Sequence, residues 1–155
     1  MQAILVLHDI RSAQNVGSLF RTSDAVGISK IYLSHITPAP VDRFGRARSD
    51  IAKTALGAEK DISWELYDNI VSLVEKYKKE GFEAIAIEQS SNSVDYKTVE
   101  TKDKIIFVLG NEVGGLPKEV LEVVDTVAEI PMVGGKESLN VSVAGGIALF
   151  RILGR

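Results

Sequence analysis

The chain contains no cysteine, only two histidines and no long apolar run among its 155 residues. Without cysteine there can be no disulfide framework, thiolate metal site, iron–sulfur cluster or cysteine nucleophile. The histidines, His8 and His35, are too isolated in the sequence to form a metal motif, so we expect no metal site. No apolar stretch approaches the ~18 residues of a membrane-spanning helix, and the N-terminal run is too short for a signal peptide. We therefore expect a soluble, cytoplasmic protein that has no membrane partner.

The chain also lacks an excess of positive charge. Its 18 lysines and arginines stand against 21 acidic residues, which gives a net charge of −3. Any binding of nucleic acid must therefore come from a local basic patch, and a nonspecific RNA coat protein is excluded. With 45% hydrophobic residues the chain can bury a core, and its length predicts a single domain.

Short β-branched runs alternate with longer helical patterns along the chain, which predicts an α/β fold. Most of the runs are apolar throughout, as expected for a parallel sheet sandwiched by helices. The predicted strands are Ala3–His8, Lys30–Ser34, Glu83–Glu88, Lys104–Gly110 and Thr126–Ile130, with a weaker one at Ser63–Leu66.

Two helical patterns carry further information. The stretch Asn69–Lys79 predicts an amphipathic covering helix, with Asp68 as its N-cap and Gly81 as its stop. The stretch Ser138–Phe150 is apolar nearly all round, and such a helix must be buried on every side. A second subunit covers such a helix most easily in a small domain, so we expect a homodimer through this C-terminal helix.

Three predicted loops follow strands at the sheet edge where open α/β folds bind ligands. The first holds Asn15, Gly17 and Arg21 in the pattern N-x-G-x-x-x-R, with Asn15 as the expected N-cap of a helix. Gly17 and Arg21 lie one helical turn apart, so a group approaching the bare face at Gly17 would meet the guanidinium. A capped helix with an exposed arginine is the alternative interpretation, and spacing alone favours it.

The second and third loops combine glycine with polar side chains. The second has the sequence Gly-Asn-Glu-Val-Gly-Gly, in which the backbone can approach a ligand and Glu112 can pair with an arginine. It is neither a Walker A loop nor a dinucleotide fingerprint, and a plain turn with Pro117 opening a helix is the alternative. The third places Ser138, Asn140 and Ser142 at the start of the apolar helix, and capping alone explains only Ser138.

A segment with prolines and a glycine, after the second predicted strand, holds a cluster of positive charge. Arg43, Arg46 and Arg48 lie within a few residues of one another, and Lys53 follows them. A solvated loop is the ordinary interpretation of such a run. Arg11, in the first of the three loops, is a further basic candidate.

Together the three loops resemble the SpoU (TrmH-like) family of RNA 2′-O-ribose methyltransferases, within the SPOUT superfamily. The family's N-x-G-x-x-x-R is similar to residues 15–21, its L-G-N-E-x-x-G-L to residues 109–116, and its I-P-M-x-G-x-x-x-S-L-N-V-S-V-A to residues 130–144. The segment 53–58 is similar to the family's K-x-S-x-G-A and departs from it in the middle. Three motifs in order, covering nearly the whole chain, argue against a chance match.

The resemblance implies an α/β fold with a C-terminal deep trefoil knot, and S-adenosylmethionine bent within that knot. It also implies one catalytic domain over residues 1–155, without an accessory RNA-binding domain. The chemistry needs no metal, because the cofactor supplies the reactive methyl group. Matched by position, the residues expected to bind the cofactor are Ile87, Glu88, Leu109, Gly110, Ile130, Met132, Ser138 and Leu139.

The implied reaction transfers a methyl group to a ribose 2′-hydroxyl, with Arg21 as the central catalytic residue. Arginine stays protonated up to about pH 12 and is therefore a poor general base. We therefore expect Arg21 to stabilise the developing alkoxide and hold the adjacent phosphate, while phosphate or water takes the proton. Asn15 would position the ribose or the arginine. Glu112 and Asn140 would orient the catalytic loop, and Ser142 would complete the hydrogen bonds.

The expected partner is RNA, and tRNA rather than rRNA, because a small body without an accessory domain can still grip a compact folded substrate. The residues expected to contact RNA are Arg11, Arg43, Arg46, Arg48 and Lys53. Three alternatives stay open: a superfamily member that methylates a base nitrogen, an inactive cofactor-binding RNA adaptor, and an unrelated flavodoxin-like binding module.

Overall fold

The computed structural model describes all residues, Met1–Arg155, and its centre is a seven-stranded sheet in which every pair of neighbours is parallel. The order across the sheet is β3-β2-β1-β6-β4-β7-β5. The predicted α/β class with a parallel sheet between helices is therefore confirmed. The strands are β1 (Gln2–Leu7), β2 (Lys30–Ser34), β3 (Ser63–Tyr67), β4 (Glu83–Ile87), β5 (Val94–Asp95), β6 (Lys104–Leu109) and β7 (Thr126–Glu129).

Six α-helices and one short 3-10 turn connect these strands. None of the helices has the length and apolar character that crossing a lipid bilayer requires. The helices are α1 (Ala13–Val26), α2 (Ser49–Ala55), α3 (Ala58–Asp61), α4 (Ile70–Lys79), α5 (Lys118–Val123) and α6 (Val141–Leu153), and the 3-10 turn covers Tyr96–Thr98.

All six predicted strands form, with ends that differ by no more than one residue from those expected. The runs are apolar because the sheet separates two core layers. One layer lies under α1, α2 and α6 and includes Phe107 and Leu149, and the other lies under α4 and α5 and includes Val74 and Val120. β5 was not predicted, since two residues are too few to show a pattern.

Two helix starts differ from those predicted. Ser12, not Asn15, is the N-cap of α1, and its hydroxyl accepts a hydrogen bond from the Asn15 backbone N–H at 3.2 Å. Asn15 therefore lies in the first turn, with its side chain available for other contacts. Asn69, not Asp68, caps α4, and its side chain accepts from the Ser72 N–H at 2.9 Å. Serine and asparagine are both good N-caps, so composition alone did not locate the cap.

The C-terminal helix also begins later than predicted and is less buried. Asn140 is its N-cap, and Ser138 lies before it in an irregular loop. One side of α6 packs into the core. The other side leaves Val143, Ile147 and Phe150 between 37% and 48% exposed, so the single chain does not bury this helix on every side.

Gly17 lies where α1 packs against α2. A Cβ at this position would lie 2.0 Å from Thr54 Oγ1 and 2.5 Å from the carbonyl oxygen of Ile51. Thr54 fixes the same contact by donating to the carbonyl of Gln14 at 3.0 Å. The expectation that Gly17 offers a bare face to an approaching ligand is therefore wrong, because the glycine is buried and lets two helices touch.

This contact predicts that Gly17→Ala destabilises the protein by about 1–3 kcal/mol, since the backbone oxygen of Ile51 cannot move aside cheaply. Urea unfolding without ligand measures the change. Gly134→Ala is the matched control, because a Cβ there meets nothing within 4 Å. A Gly17→Ala midpoint equal to that of the wild-type chain would contradict the packing described here.

Candidate functional site

The candidate residues gather at one edge of the sheet, because parallel strands all end on the same side. Two neighbouring openings lie there. The first, called the cavity, is formed by the loops after β4, β6 and β7, and the second, called the cleft, by the loops after β1 and β6. Residues 111–113 and Gly115 line both openings, so this loop forms the wall between them.

The cavity has a volume of about 260 Å³, close to the lower end of the roughly 300–1,000 Å³ typical of small-molecule sites. It is lined by 17 residues. All eight residues expected to bind the cofactor are among them: Ile87, Glu88, Leu109, Gly110, Ile130, Met132, Ser138 and Leu139.

The lining of the cavity is apolar and acidic. Leu109, Ile130 and Leu139 supply apolar surface, whereas no lysine or arginine contributes to the lining. Such a site suits a molecule that joins a flat apolar group to a positive charge, and it disfavours a phosphate-rich ligand. The carboxylates at the cavity are Glu88, Glu112, Glu129 and Glu137.

The glycines of the second loop allow it to fold closely around Glu88. The Glu88 carboxylate accepts from the backbone N–H of Leu116 and of Gln89, each at 2.9 Å. Gly115 has a φ of 65°, and a Cβ there would lie 2.4 Å from Glu88 Oε2. Glu88 therefore fixes the wall between the cavity and the cleft, in addition to lining the cavity.

Hydrogen bonds join the three sequence motifs at this wall. Asn15 Nδ2 donates to Glu112 Oε1 at 3.1 Å, and Asn140 Nδ2 donates to Asn15 Oδ1 at 3.2 Å. Ser142 donates from its hydroxyl and its backbone N–H to Asn140 Oδ1, at 2.6 and 2.9 Å. Four of the five predicted catalytic residues therefore form one hydrogen-bonded group. Two directly bonded members, Asn15 and Asn140, are 125 positions apart in the sequence.

Arg21 does not join this group in the single chain. It lies six positions after Asn15, about 9 Å along the axis of α1. Its side chain is exposed, makes no hydrogen bond or ion pair and lines neither opening.

A half-buried histidine that lines the cleft, His8, was not assigned a role from the sequence. His8 Nδ1 forms a hydrogen bond with the Tyr67 hydroxyl, and Nε2 lies 3.5 Å from Asp9 Oδ2. Burial lowers the pKa of His8 below its ordinary 6.5, although the carboxylates of Asp9 and Glu119 oppose the shift. Burial raises the pKa of Tyr67 above its usual range. At neutral pH the neutral imidazole therefore accepts from Tyr67 and turns its remaining N–H towards Asp9.

Of the five residues predicted to contact RNA, two form ion pairs with carboxylates and three do not. Arg43, Arg46 and Arg48 lie on residues 35–48, between β2 and α2, called the arginine loop. Arg46 pairs with Asp42 at 3.0 Å, and Arg48 pairs with Asp50 through two hydrogen bonds of 3.1 and 2.6 Å. These pairs are exposed, so opening them costs little.

The other three basic side chains form no ion pair. Arg43 is exposed near the tip of the arginine loop, Lys53 is exposed on α2, and Arg11 lines the cleft. All three are free to meet an anionic ligand.

The family model described as the SpoU rRNA Methylase family matches residues 2–150. A tRNA (guanosine(18)-2'-O)-methyltransferase of Aquifex aeolicus is 32% identical over 147 residues, which cover 95% of this chain and 66% of that protein. The chain spans 66% of the length of this relative and 58% of the length of a putative TrmH family tRNA/rRNA methyltransferase of Staphylococcus aureus.

Solved structures of RNA methyltransferases are also similar to this chain. An AdoMet-bound rRNA methyltransferase from Sinorhizobium meliloti has a TM-score of 0.86 and 30% identity, covering 97% of this chain and 55% of that one. A structure solved to explain the 2-OH methylation of C/U34 on tRNA has a TM-score of 0.80 and 25% identity, and covers 99% of this chain and 98% of that one.

The lowered pKa of His8 predicts a pH-dependent stability. The unfolded chain protonates His8 near pH 6.5, whereas the folded chain does so only at lower pH, so the free energy of unfolding falls as the pH drops through 6.5. Asp42, Asp50 and Glu65 have pKa values lowered from 3.8 and 4.5, so their losses come at more acidic pH.

Urea unfolding at several pH values measures the effect. We expect His8→Asn to flatten the fall, whereas the control His35→Asn, which removes an exposed histidine, retains it. An equal slope in His8→Asn and the wild-type chain would show that His8 is not the responsible group.

Proposed function

The chain belongs to the SpoU rRNA Methylase family, and from this premise we propose that it transfers a methyl group from S-adenosylmethionine to a ribose 2′-hydroxyl of RNA. One observation carries the proposal. Asn15, Glu112 and Asn140, each from a different motif, form one hydrogen-bonded group on the wall between the cavity and the cleft. That arrangement supports a role for these side chains as positioning groups between a cofactor and an acceptor.

The cavity fits S-adenosylmethionine by the chemistry of its lining. When bound, this cofactor supplies a methyl group on a positively charged sulfur, from which an oxygen nucleophile can displace it. Apolar residues such as Leu109 and Leu139 suit the adenine, and the cavity's carboxylates suit the positive charges. The AdoMet-bound Sinorhizobium relative supports this assignment. We infer that the eight predicted lining residues hold the cofactor.

The cleft suits the acceptor ribose and its phosphates. Only one of its 11 lining residues is hydrophobic, and Arg11 and Asn15 are among the polar ones. The Asn15 amide nitrogen has two N–H groups, of which Glu112 takes one. The Asn15 amide oxygen accepts a hydrogen bond from Asn140 Nδ2, and Asn140 Oδ1 in turn accepts one from the Ser142 hydroxyl. The second N–H of Asn15 is thereby fixed as a donor for a ribose oxygen.

We also propose a homodimer through α6 in which Arg21 acts in the partner's site. The exposed apolar side chains Val143, Ile147 and Phe150 need a cover. α1 packs against the same helix, with Thr22 Cγ2 only 3.8 Å from where a Cβ of Gly146 would lie. Arg21 is exposed and adjoins Thr22 in the chain, and we propose that it lies beside the surface that a second copy would cover. There it would stabilise the developing alkoxide and hold the adjacent phosphate.

A C-terminal trefoil knot and tRNA as substrate complete the proposal. The segment before β6 is bonded to α6, since Thr101 donates to the carbonyl of Ile152 at 2.6 Å and Arg151 donates to that of Lys97 at 2.7 Å. These contacts support threading of α6 behind that segment. The relative concerned with C/U34 of tRNA, which this chain covers almost end to end, supports tRNA rather than rRNA and a single catalytic domain. An RNA substrate also agrees with the expected cytoplasmic location.

The direct test is methyl transfer from labelled S-adenosylmethionine into total tRNA and rRNA from a strain that lacks this gene, followed by nucleoside analysis. We expect the label in a 2′-O-methylnucleoside of the tRNA fraction. Label in a methylated base would move the protein to the base-modifying branch. No label despite measurable cofactor binding would favour the adaptor.

Arg21→Ala should lower methyl transfer at least ~100-fold, the usual loss on removing an electrostatic stabiliser of developing charge. Its affinity for S-adenosylmethionine should stay nearly unchanged, because Arg21 does not line the cavity. Asp24→Ala, an exposed change on the same helix, is the control. An Arg21→Ala variant that keeps most of its turnover would remove Arg21 from the mechanism.

A mixture of two inactive variants tests the shared site. Arg21→Ala and Asn140→Ala chains, unfolded together and refolded, form mixed dimers. If Arg21 serves the partner's site, one site per mixed dimer holds both side chains and activity returns. If Arg21 serves its own site, no site holds both, and the mixture stays inactive.

A further inference from the structure

We propose that Phe44, at the tip of the arginine loop, is a stacking platform for an unpaired base of the RNA that enters the cleft. The inference rests on the proposed function for the presence of RNA. It adds a contact with a base to the phosphate contacts expected of the neighbouring arginines. No motif in the sequence includes Phe44.

Phe44 is an aromatic side chain that the fold leaves in water. Its side chain is 67% exposed, whereas Phe20, Phe82 and Phe107 are buried. A single exposed apolar side chain is ordinary by itself, so what distinguishes Phe44 is its position between Arg43 and Arg46 in an ordered, charged loop.

The tip of the loop is ordered by its own hydrogen bonds. Asp42 Oδ1 accepts from the backbone N–H of Phe44 at 2.8 Å and of Arg46 at 3.0 Å. The Asp42 N–H donates to the carbonyl of Arg46 at 2.8 Å, and an antiparallel bridge closes the turn below it. Gly45 supplies the positive φ, 77°, that the turn requires. A ligand therefore meets a ring whose backbone is already fixed, which lowers the entropic cost of binding.

Two guanidinium groups lie against the Phe44 ring. The Cζ atoms of Arg43 and Arg46 are 4.8 and 5.0 Å from the ring centroid, within the range of a cation–π contact. Arg43 has no carboxylate partner, so its charge remains available to a phosphate. An aromatic ring flanked by arginines is the combination that binds single-stranded RNA, because the ring stacks on a base while the cations meet the backbone.

One end of the arginine loop is fixed to the segment between β1 and α1, and the other end is fixed to α1 itself. Ser34 Oγ accepts from the Asp9 N–H at 2.9 Å, and Thr37 Oγ1 accepts from the Ile10 N–H at 3.0 Å. Both hydroxyl side chains are buried, and Asp9 lines the cleft. The other end of the loop enters α2, which packs on α1 at Gly17. The arginine loop is thus joined by hydrogen bonds to the segment after β1 that lines the cleft, which connects the platform to the proposed acceptor site.

An unpaired nucleotide fits this surface better than a duplex does. A duplex keeps its bases stacked inside and offers only phosphates and sugars at its surface, so it would use the arginines and leave the ring idle. The difference between the two RNA forms is therefore the signature of the platform.

The test uses the full chain and two fluorescein-labelled probes, a stem–loop RNA with an unpaired loop and a blunt duplex with the same number of phosphates. Fluorescence anisotropy gives both affinities. We expect Phe44→Leu to weaken stem–loop binding by about 5- to 150-fold, the range measured for loss of one stacked base, and to leave duplex binding unchanged. Phe44→Tyr should restore stem–loop binding. Val94→Ala, an exposed apolar change on the strand at the opposite edge of the sheet, is the matched control.

Salt dependence separates the ring from the arginines. Arg43→Gln should reduce the slope of log affinity against log salt by about 0.7, the value for one phosphate of a single strand. Phe44→Leu should leave the slope unchanged, because stacking releases no counterion. A reduced slope in Phe44→Leu would mean that the ring only orients the arginines, and would overturn the platform.

Two other outcomes would overturn the inference. Equal losses on the stem–loop and the duplex would show that Phe44 does not distinguish paired from unpaired bases. A changed sedimentation coefficient in Phe44→Leu, with RNA affinity intact, would assign the ring to a protein interface. Methyl transfer is measured separately. If the wild-type chain methylates no ribose, the proposed function is refuted. If Phe44→Leu still weakens stem–loop binding in that case, the platform is retained.

Discussion

The parallel pairing of β1 with β6 at the centre of the sheet is the constraint on which the site depends. Gln2 to Leu7 lie in register with Lys104 to Leu109, so two loops about a hundred residues apart in the chain leave the sheet side by side. The pairing continues past the strands, because His8 N–H donates to the carbonyl of Leu109 at 2.9 Å and Asn111 Nδ2 donates to that of Asp9 at 2.6 Å. The bond from Asn15 to Glu112 extends the same row. A shift in register would separate the first motif from the second.

Strands and cavity were predictable from the sequence for different reasons. Strands buried on both faces must be apolar throughout, so their runs are visible without knowledge of their neighbours. The cavity residues were found by their match to a family pattern, not by their chemistry. Gly17 was misinterpreted because a sequence does not distinguish a glycine that allows two helices to pack closely from one that leaves space for a ligand. The contact of His8 with Tyr67 spans 59 positions, and no local pattern predicts it.

The fold separates charge within an acidic chain. The cavity is lined by four carboxylates and no cation. The cleft is lined by Arg11 together with Asp9 and Glu112, and the arginine loop carries Arg43, which has no carboxylate partner. A chain with a net charge of −3 can therefore present positive potential locally, because potential near a surface follows the nearest charges more than the total.

The contacts between α6 and the segment before β6 have a consequence for synthesis. Thr101 donates to the carbonyl of Ile152, and the Arg151 guanidinium donates to the carbonyl of Lys97. Val141 and Ala144 of the same helix line the cavity. A nascent chain that has emerged as far as β7 carries every strand of the sheet but still has no finished cavity. Closing contacts over some fifty residues is also slow relative to forming local helices. The sheet and the cavity are thus completed at different times, and the packing of α6 is the later of the two events.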